Sequence, residues 1–585
     1  ERNEIKMKEK LKMFDRNSNK GITLIALVVT IIVLLILAGV SIATLTGPNG
    51  LITRANQAKE ATEQAERDEL AMLQAVEDSI NAVSPSKQGF NEGKFVNAPK
   101  LAKGMIPIRH NGTNWVVCSE TDATWYNYDS KKEWANVMLS DGKYKAGQVA
   151  EGTVINENDL GSMFVWIPRY AYQINGEKDI GITFLAGNTN EDKDGKVYEK
   201  ANASSNTKTT KVVHPAFTLG QRELNGIWVA KFEASGVNKD GVAVGNASAE
   251  SSSAVAPDET TIVKILPNVI SWRHITVGES QKRSMDIATT NKDIYGIDYV
   301  TSHLMKNNEW GAVAYLTYSE FGKVPMINGT GSLVQNSHWY NLYTGQGPKT
   351  STDEGYYEYS ADHNYNTENG MLASTTGNIT GVYDMSGGAW ERVAGYLDNN
   401  NGNLTSYGKS ADGSVKYFEG NKLKSEYASL WDAYEVSEEE KTNKIMVDGT
   451  AKTQGEVWNW NNRTQSYHEA RRRITEATFK NMAKHKGIGV NEMATEFSFY
   501  APYTPGTENN TQPWGWFKTA AEAVAGTQKY ATSWDGDCVL IGHAGYPFVR
   551  RGGGCNYGGG AGVLYTGVTD GGADVYYGFR PVVVL

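Results

Sequence analysis

From Ile22 to Thr46 the chain carries no charged residue: ITLIALVVTIIVLLILAGVSIATLT. No other feature narrows the folding options as much, because 25 consecutive apolar and small residues have few solutions in water. As an α-helix the run reaches roughly 37 Å, enough to cross the ~30 Å hydrocarbon core of a bilayer with some tilt. Residues 1–21 hold seven bases (Arg2, Lys6, Lys8, Lys10, Lys12, Arg16, Lys20) against four acids. Basic flanks stay on the cytoplasmic side. The sequence therefore predicts a cytoplasmic leader over 1–21, a transmembrane helix over 22–46, and the bulk of the chain outside the cell membrane. Gly47-Pro48-Asn49-Gly50 breaks that helix. Ala55, Ala58, Ala61, Ala65, Met72, Val76 and Ile80 then recur at three- and four-residue steps, which predicts a helical stalk within 47–84.

The remaining residues read as an α+β, turn-rich globular region. The 585 residues include 61 Gly and 31 Tyr without a Gly-X-Y period, so collagen is excluded. A net charge of −9 argues against nucleic acid as a partner. Three cysteines (Cys118, Cys538, Cys555) with no CxxC spacing cannot form a disulfide scaffold. Between Phe90 and Asp159, short alternating runs such as Trp115-Val116-Val117 are punctuated by Asn111-Gly112 and Asp141-Gly142. They predict a small β-rich domain over 85–160. Trp125, Tyr126, Tyr128 and Trp134 form its aromatic core, with a carbohydrate platform as the alternative.

Two resemblances add to this reading. Lys20-Gly21-Ile22-Thr23-Leu24-Ile25 ahead of the apolar run resembles the start of type IV prepilins and pseudopilins. The resemblance implies cleavage between Gly21 and Ile22 by a prepilin peptidase at a bacterial membrane. Met7 would give a leader of typical length. Ala26 stands where that family carries its assembly glutamate, which argues against filament assembly. A plain membrane anchor is the alternative, and a minor pilin a further one.

The second resemblance covers 161–585. Phe164-Val165-Trp166-Ile167-Pro168-Arg169-Tyr170, His214-Pro215-Ala216-Phe217, Gly226 to Glu233 and Glu309 to Leu316 occur in order. Gly381-Val382-Tyr383-Asp384-Met385-Ser386-Gly387-Gly388-Ala389-Trp390-Glu391 follows, then Arg551-Gly552-Gly553 and Gly578-Phe579-Arg580. The series is similar to the formylglycine-generating-enzyme (sulfatase-modifying-factor) branch of the C-type-lectin fold. It implies a loop-rich module whose first and last strands lie close together, with an insert near 422–480. Tyr467 to His485 in that insert reads helical.

The chemistry of that enzyme is not expected. Counted from Arg551, its two cysteines fall on Tyr557 and Gly562, leaving Cys555 as the nearest thiol. Thiol oxidation needs a thiolate and usually a second thiol or a metal. An oxidase of this class remains the alternative function. Calcium is the candidate cofactor. The family's calcium-binding asparagine is Gly388 here, and Asn190-x-Asp192-x-Asp194-Gly195 resembles half of an EF-hand loop but lacks its closing glutamate.

Residues 551–580 (RGGGCNYGGGAGVLYTGVTDGGADVYYGFR) also resemble the ligand-binding end of variable proteins diversified by retroelements. The resemblance implies a fixed frame of Arg551, Gly552, Gly553, Gly558, Ala561, Gly562, Gly571, Ala573, Gly578, Phe579 and Arg580. Between them lie the readout positions Gly554, Cys555, Asn556, Tyr557, Tyr565, Gly567, Thr569, Asp570, Asp574 and Tyr576. Tyr gives contact area at low entropy cost, while Asn, Gly and Thr adapt, as in paratopes. The expectation is a non-catalytic, surface-displayed protein that binds an extracellular protein or glycan through this face.

Overall fold

Met163–Pro168 (MFVWIP) and Gly226–Ala230 (GIWVA) are unbroken apolar runs, the pattern of strands covered on both sides. They pair at the middle of a mixed α+β structure. The computed structural model describes residues 98–129, 131–176, 179–238, 243–244, 260–323, 342–347, 361–435, 445–447, 449–453, 480–488, 492–493, 545–554 and 562–585. The chain divides into two units, Glu1–Ser86 and Lys87–Leu585. The leader, the 22–46 segment, the stalk, Gly21 and Ile22 lie outside the described residues. Among the described residues, no helix is long and apolar enough to cross a membrane.

Thirteen strands organise the second unit around two sheets. They are β1 (Ile106–His110), β2 (Trp115–Val117), β3 (Asn136–Met138), β4 (Val154–Ile155), β5 (Met163–Pro168), β6 (Gly226–Ala230), β7 (Thr301–Leu304), β8 (Trp390–Asp398), β9 (Asp432–Glu435), β10 (Phe548–Arg551), β11 (Thr566–Thr569), β12 (Tyr577–Phe579) and β13 (Pro581–Val584). The first sheet runs β7-β13-β6-β5-β3-β1-β2-β4, antiparallel throughout. In the second, β10 joins β8 to β11, and β9 and β12 pair parallel to successive parts of β8. A smaller sheet joins Tyr170–Gly176 to Asp179–Phe184 and Val212–Val213.

Helix α1 (Val277–Asp286) touches strands β7 and β13 of the first sheet and β8 of the second. Its N-cap Thr276 accepts the Glu279 N–H at 3.2 Å, satisfying a donor the helix cannot. Helix α2 (Asn307–Thr317) is buried along its whole length, so amphipathic spacing could not mark it. Its Trp310 donates from Nε1 to the Val563 carbonyl at 2.6 Å.

The strand that follows the 551–580 stretch lies inside the first sheet. β13 pairs with β6 (Trp228↔Val583) on one side and with β7 (Ser302↔Val583) on the other. Val582, Val583 and Val584 are fully buried. Each is worth about 1.5–3 kcal/mol relative to exposure.

Two expected boundaries differ from the structure. The predicted separate domain over 85–160 is one half of the first sheet. β3 pairs with β5 in the register Asn136↔Val165, Val137↔Phe164 and Met138↔Met163. Its aromatic group is buried in the common core rather than forming an open platform: Trp125 donates to the Asn136 carbonyl at 2.8 Å and Tyr128 to the Trp166 carbonyl at 2.6 Å. The stretch read as an insert from 422 begins with structural work, because β9 extends the second sheet. Further along, residues 480–486 are helical.

Candidate functional site

The motif residues converge on a buried set of charges. β6 runs into Lys231 and Glu233, β8 carries Glu391 as its second residue, and Arg580 links β12 to β13. Lys231 donates from Nζ to Asn136 Oδ1 (2.9 Å) and to the carbonyls of Ile379 (2.7 Å) and Gly381 (2.8 Å). Burial holds its ammonium well below the usual lysine range. Arg580 grips Glu391 in a fork, Nε to Oε2 at 3.0 Å and Nη2 to Oε1 at 2.5 Å. It also donates to the carbonyls of Ala230 (2.7 Å) and Tyr383 (2.8 Å). Burial raises the Glu391 carboxyl to about 7, against the Arg580 charge that lowers it.

Glu233 accepts from Ala389 N–H at 2.8 Å and from the Ser271 hydroxyl. Burial first, then the neighbouring Asp384 and Glu391, push its carboxyl well above the ordinary range. Asp384 takes a positive φ of 62° and accepts from Gly345 N–H (2.8 Å) and Glu233 N–H (3.2 Å). These bonds tie residues 379–391 to both sheets. The set is closed on itself and holds the frame.

The opposite side of the second sheet presents different chemistry. Side chains alternate across a strand, and directly paired residues share a face. Glu391, Arg551 and Thr566 are paired across β8, β10 and β11. Arg551 is buried and donates to Thr566 Oγ1 (2.5 Å) and Asn307 Oδ1 (3.3 Å). The alternate set pairs Arg392 with Arg550 and Arg550 with Gly567, while Trp390 pairs with Tyr577.

On that second face the Arg550 guanidinium lies 3.6 Å from the Trp390 ring centroid, a close cation–π contact. It also donates to the Tyr577 hydroxyl. Tyr565 meets Trp390 edge-on at 4.6 Å. Gly567 leaves room for the pair, since a Cβ there would stand 3.0 Å from Arg550 Nε and 3.1 Å from the Tyr565 ring.

The loop from Asp570 to Tyr576 is fastened to this frame by its own backbone. The carbonyl of Gly571 accepts Val277 N–H (3.1 Å), that of Asp574 accepts His274 N–H (2.9 Å), and that of Tyr576 accepts Trp390 N–H (2.8 Å). Arg392 donates to the Gly572 carbonyl and Arg273 to that of Val575. Two side chains shape the loop locally: Asp570 Oδ1 accepts Gly572 N–H (2.9 Å) and Asp574 Oδ1 accepts Tyr576 N–H (2.8 Å).

Of the readout positions, Asp570, Asp574 and Tyr576 are half-buried and border solvent. Gly554, Tyr565, Gly567 and Thr569 are buried instead, Tyr565 completely. Ala573, read as frame, is the most open residue of the loop. Cys555, Asn556 and Tyr557 lie outside the described residues. Sequence reasoning passed over Arg392, Arg550 and Tyr577. Strand alternation from Trp390 and Arg551 was the available signal for the two arginines.

Each calcium candidate has protein partners. Asn190 Oδ1 accepts from Arg169 at 2.5 Å. Asp192 accepts from the N–H groups of Asp194 (2.9 Å) and Lys196 (3.0 Å) and from the Tyr198 hydroxyl (3.0 Å), and Asp194 meets Lys193 at 2.9 Å. Among the described residues no group of three His, Cys, Asp or Glu side chains is placed to hold a metal ion. Cys118 is buried, and burial pushes its thiol far up. Cys538 lies outside the described residues. No protein-family model matches the chain, and no curated protein matches it either.

Proposed function

We propose that this is a ligand-binding protein of the bacterial cell surface, receptor- or adhesin-like and non-catalytic. It displays a C-type-lectin-like module of the formylglycine-generating-enzyme branch on a membrane anchor. The C-terminal face contacts an extracellular ligand, and codons in 551–580 are diversified by a retroelement. One observation carries this reading: the loop over 570–576 is held by backbone carbonyls at five of its positions. A loop fastened chiefly by its main chain depends less on its own side chains, of which Asp570 and Asp574 each add one local bond. That property suits a recognition surface.

A panel of cells, purified surface proteins and glycans, screened with the full chain, tests the reading. We expect Tyr576→Ala and Ala573→Arg each to weaken capture at least about ten-fold while the melting temperature holds. Unchanged capture by both variants means the face is wrong. For diversification, the observation sought is a neighbouring reverse transcriptase with a template repeat matching codons ~550–580, its mismatches confined to template adenines. Mismatches spread over all bases would sink that part.

A further inference from the structure

Arg392 and Arg550 stand directly opposite each other across the β8–β10 ladder. Like charges at that spacing repel. Arg392 is fully buried, and it donates from Nε to the Ile275 carbonyl at 3.0 Å and from Nη2 to the Gly572 carbonyl. Its Nη1 is buried with no hydrogen-bond partner, and so is Nε of Arg550. Both guanidinium groups lie over one ring, that of Tyr577, at 4.8 Å and 5.1 Å from its centroid. A cationic N–H left in the interior without an acceptor costs free energy that an incoming oxyanion would recover.

Two carboxylates lie nearby without filling that role. Asp570 and Asp574 favour the Arg392 charge, but no ion pair joins either to the two arginines, and Oδ1 of each accepts an N–H of its own loop. Neither arginine forms an ion pair among the described residues.

We infer that the Arg392–Arg550 pair anchors a single carboxylate carried by a protein ligand, an extension that rests on the binding face described above. A planar carboxylate matches the guanidinium fork. Counting Arg273, which reaches the same loop, Asp570 and Asp574 leave an excess of one positive charge, which one carboxylate neutralises and a densely charged polymer such as a sulfated polysaccharide exceeds. Sugar rings stack on open aromatic faces, and here Trp390 (3 % exposed) and Tyr565 (0 %) are covered. Tyr576 and Tyr577, half-buried at the rim, supply the contact surface around the anchor.

Calorimetric titration of the full chain in detergent tests the assignment. Three probes are used: N-acetyl-Gly-Glu-Gly-amide, its glutamine counterpart, and a uronic-acid disaccharide. We expect the glutamyl peptide to bind at least about ten-fold more tightly than the glutaminyl one. Arg550→Gln should erase the difference and Arg550→Lys keep part of it, with the melting temperature lowered by no more than about 4 °C in either. Equal binding of the two peptides, no binding of either, or tighter binding of the disaccharide overturns the inference. If Arg550→Gln is silent while Tyr576→Ala still abolishes capture of a panel ligand, the anchor falls and the binding face stands. If both are silent, the face falls with it.

Discussion

Two residues on one sheet face were legible to very different degrees. Tyr565 falls between glycines in a tyrosine-rich stretch and reads as contact surface, yet it is fully buried against Trp390. Composition marks such a residue, but only the strand register decides which way it turns. Arg392 carries no motif signal beyond following Glu391, and its burial depends on a pairing with Arg550 over 150 positions away. His214 shows the same dependence and allows a pH test. Its ring is packed among Tyr170, Tyr172, Phe217 and Tyr315, and its Nδ1 accepts Ala216 N–H at 3.2 Å. Burial lowers its pKa from 6.5 to about 3. A base depressed in this way favours the fold while neutral. Its contribution is present above pH 6.5 and is lost as pH falls towards 3. We expect unfolding free energy to fall with a slope of about one proton through that window. His214→Asn, which keeps an acceptor for the turn, should flatten the slope in urea titrations.

At the scale of elements, the framing of the loop was partly readable. Gly571 was assigned to the frame. Its φ is +95°, and a Cβ there would stand 2.5 Å from the Phe548 ring, so only glycine fits. Gly571→Ala should cost about 1–3 kcal/mol in a thermal melt and loosen the carbonyl tethers of its neighbours. Ala573→Ser, at the open position two residues on, should stay within about 0.5 kcal/mol. The side-chain anchors of that loop, Arg392 and Arg273, were not readable. A guanidinium reaching a main-chain carbonyl leaves no pattern in the spacing of residues.

For the whole molecule, the segments singled out at 164–170, 226–233 and 578–580 overlap β5, β6 and β12, while Glu309 to Leu316 falls in helix α2, and the boundary near 160 misled. Alternating runs and turn pairs identify strands without saying which sheet receives them. β3 closes one edge of β5, so residues 98–160 are required by the rest. A chain restricted to 161–585 would bare that edge. We expect it to aggregate, whereas one spanning 98–585 should unfold in a single cooperative transition by circular dichroism. Removing residues 581–585 should abolish that transition altogether, since β13 bridges β6 and β7.

The position of β13 has a genetic consequence. The candidate recognition loop precedes it in the reading frame, yet the sheet cannot close until it arrives. A stop codon or frameshift within 551–580 therefore costs the chain an interior strand of its first sheet, not merely the candidate loop. Defective messages yield products that quality-control proteases remove, so folding itself audits the reading frame of the region that precedes the last strand.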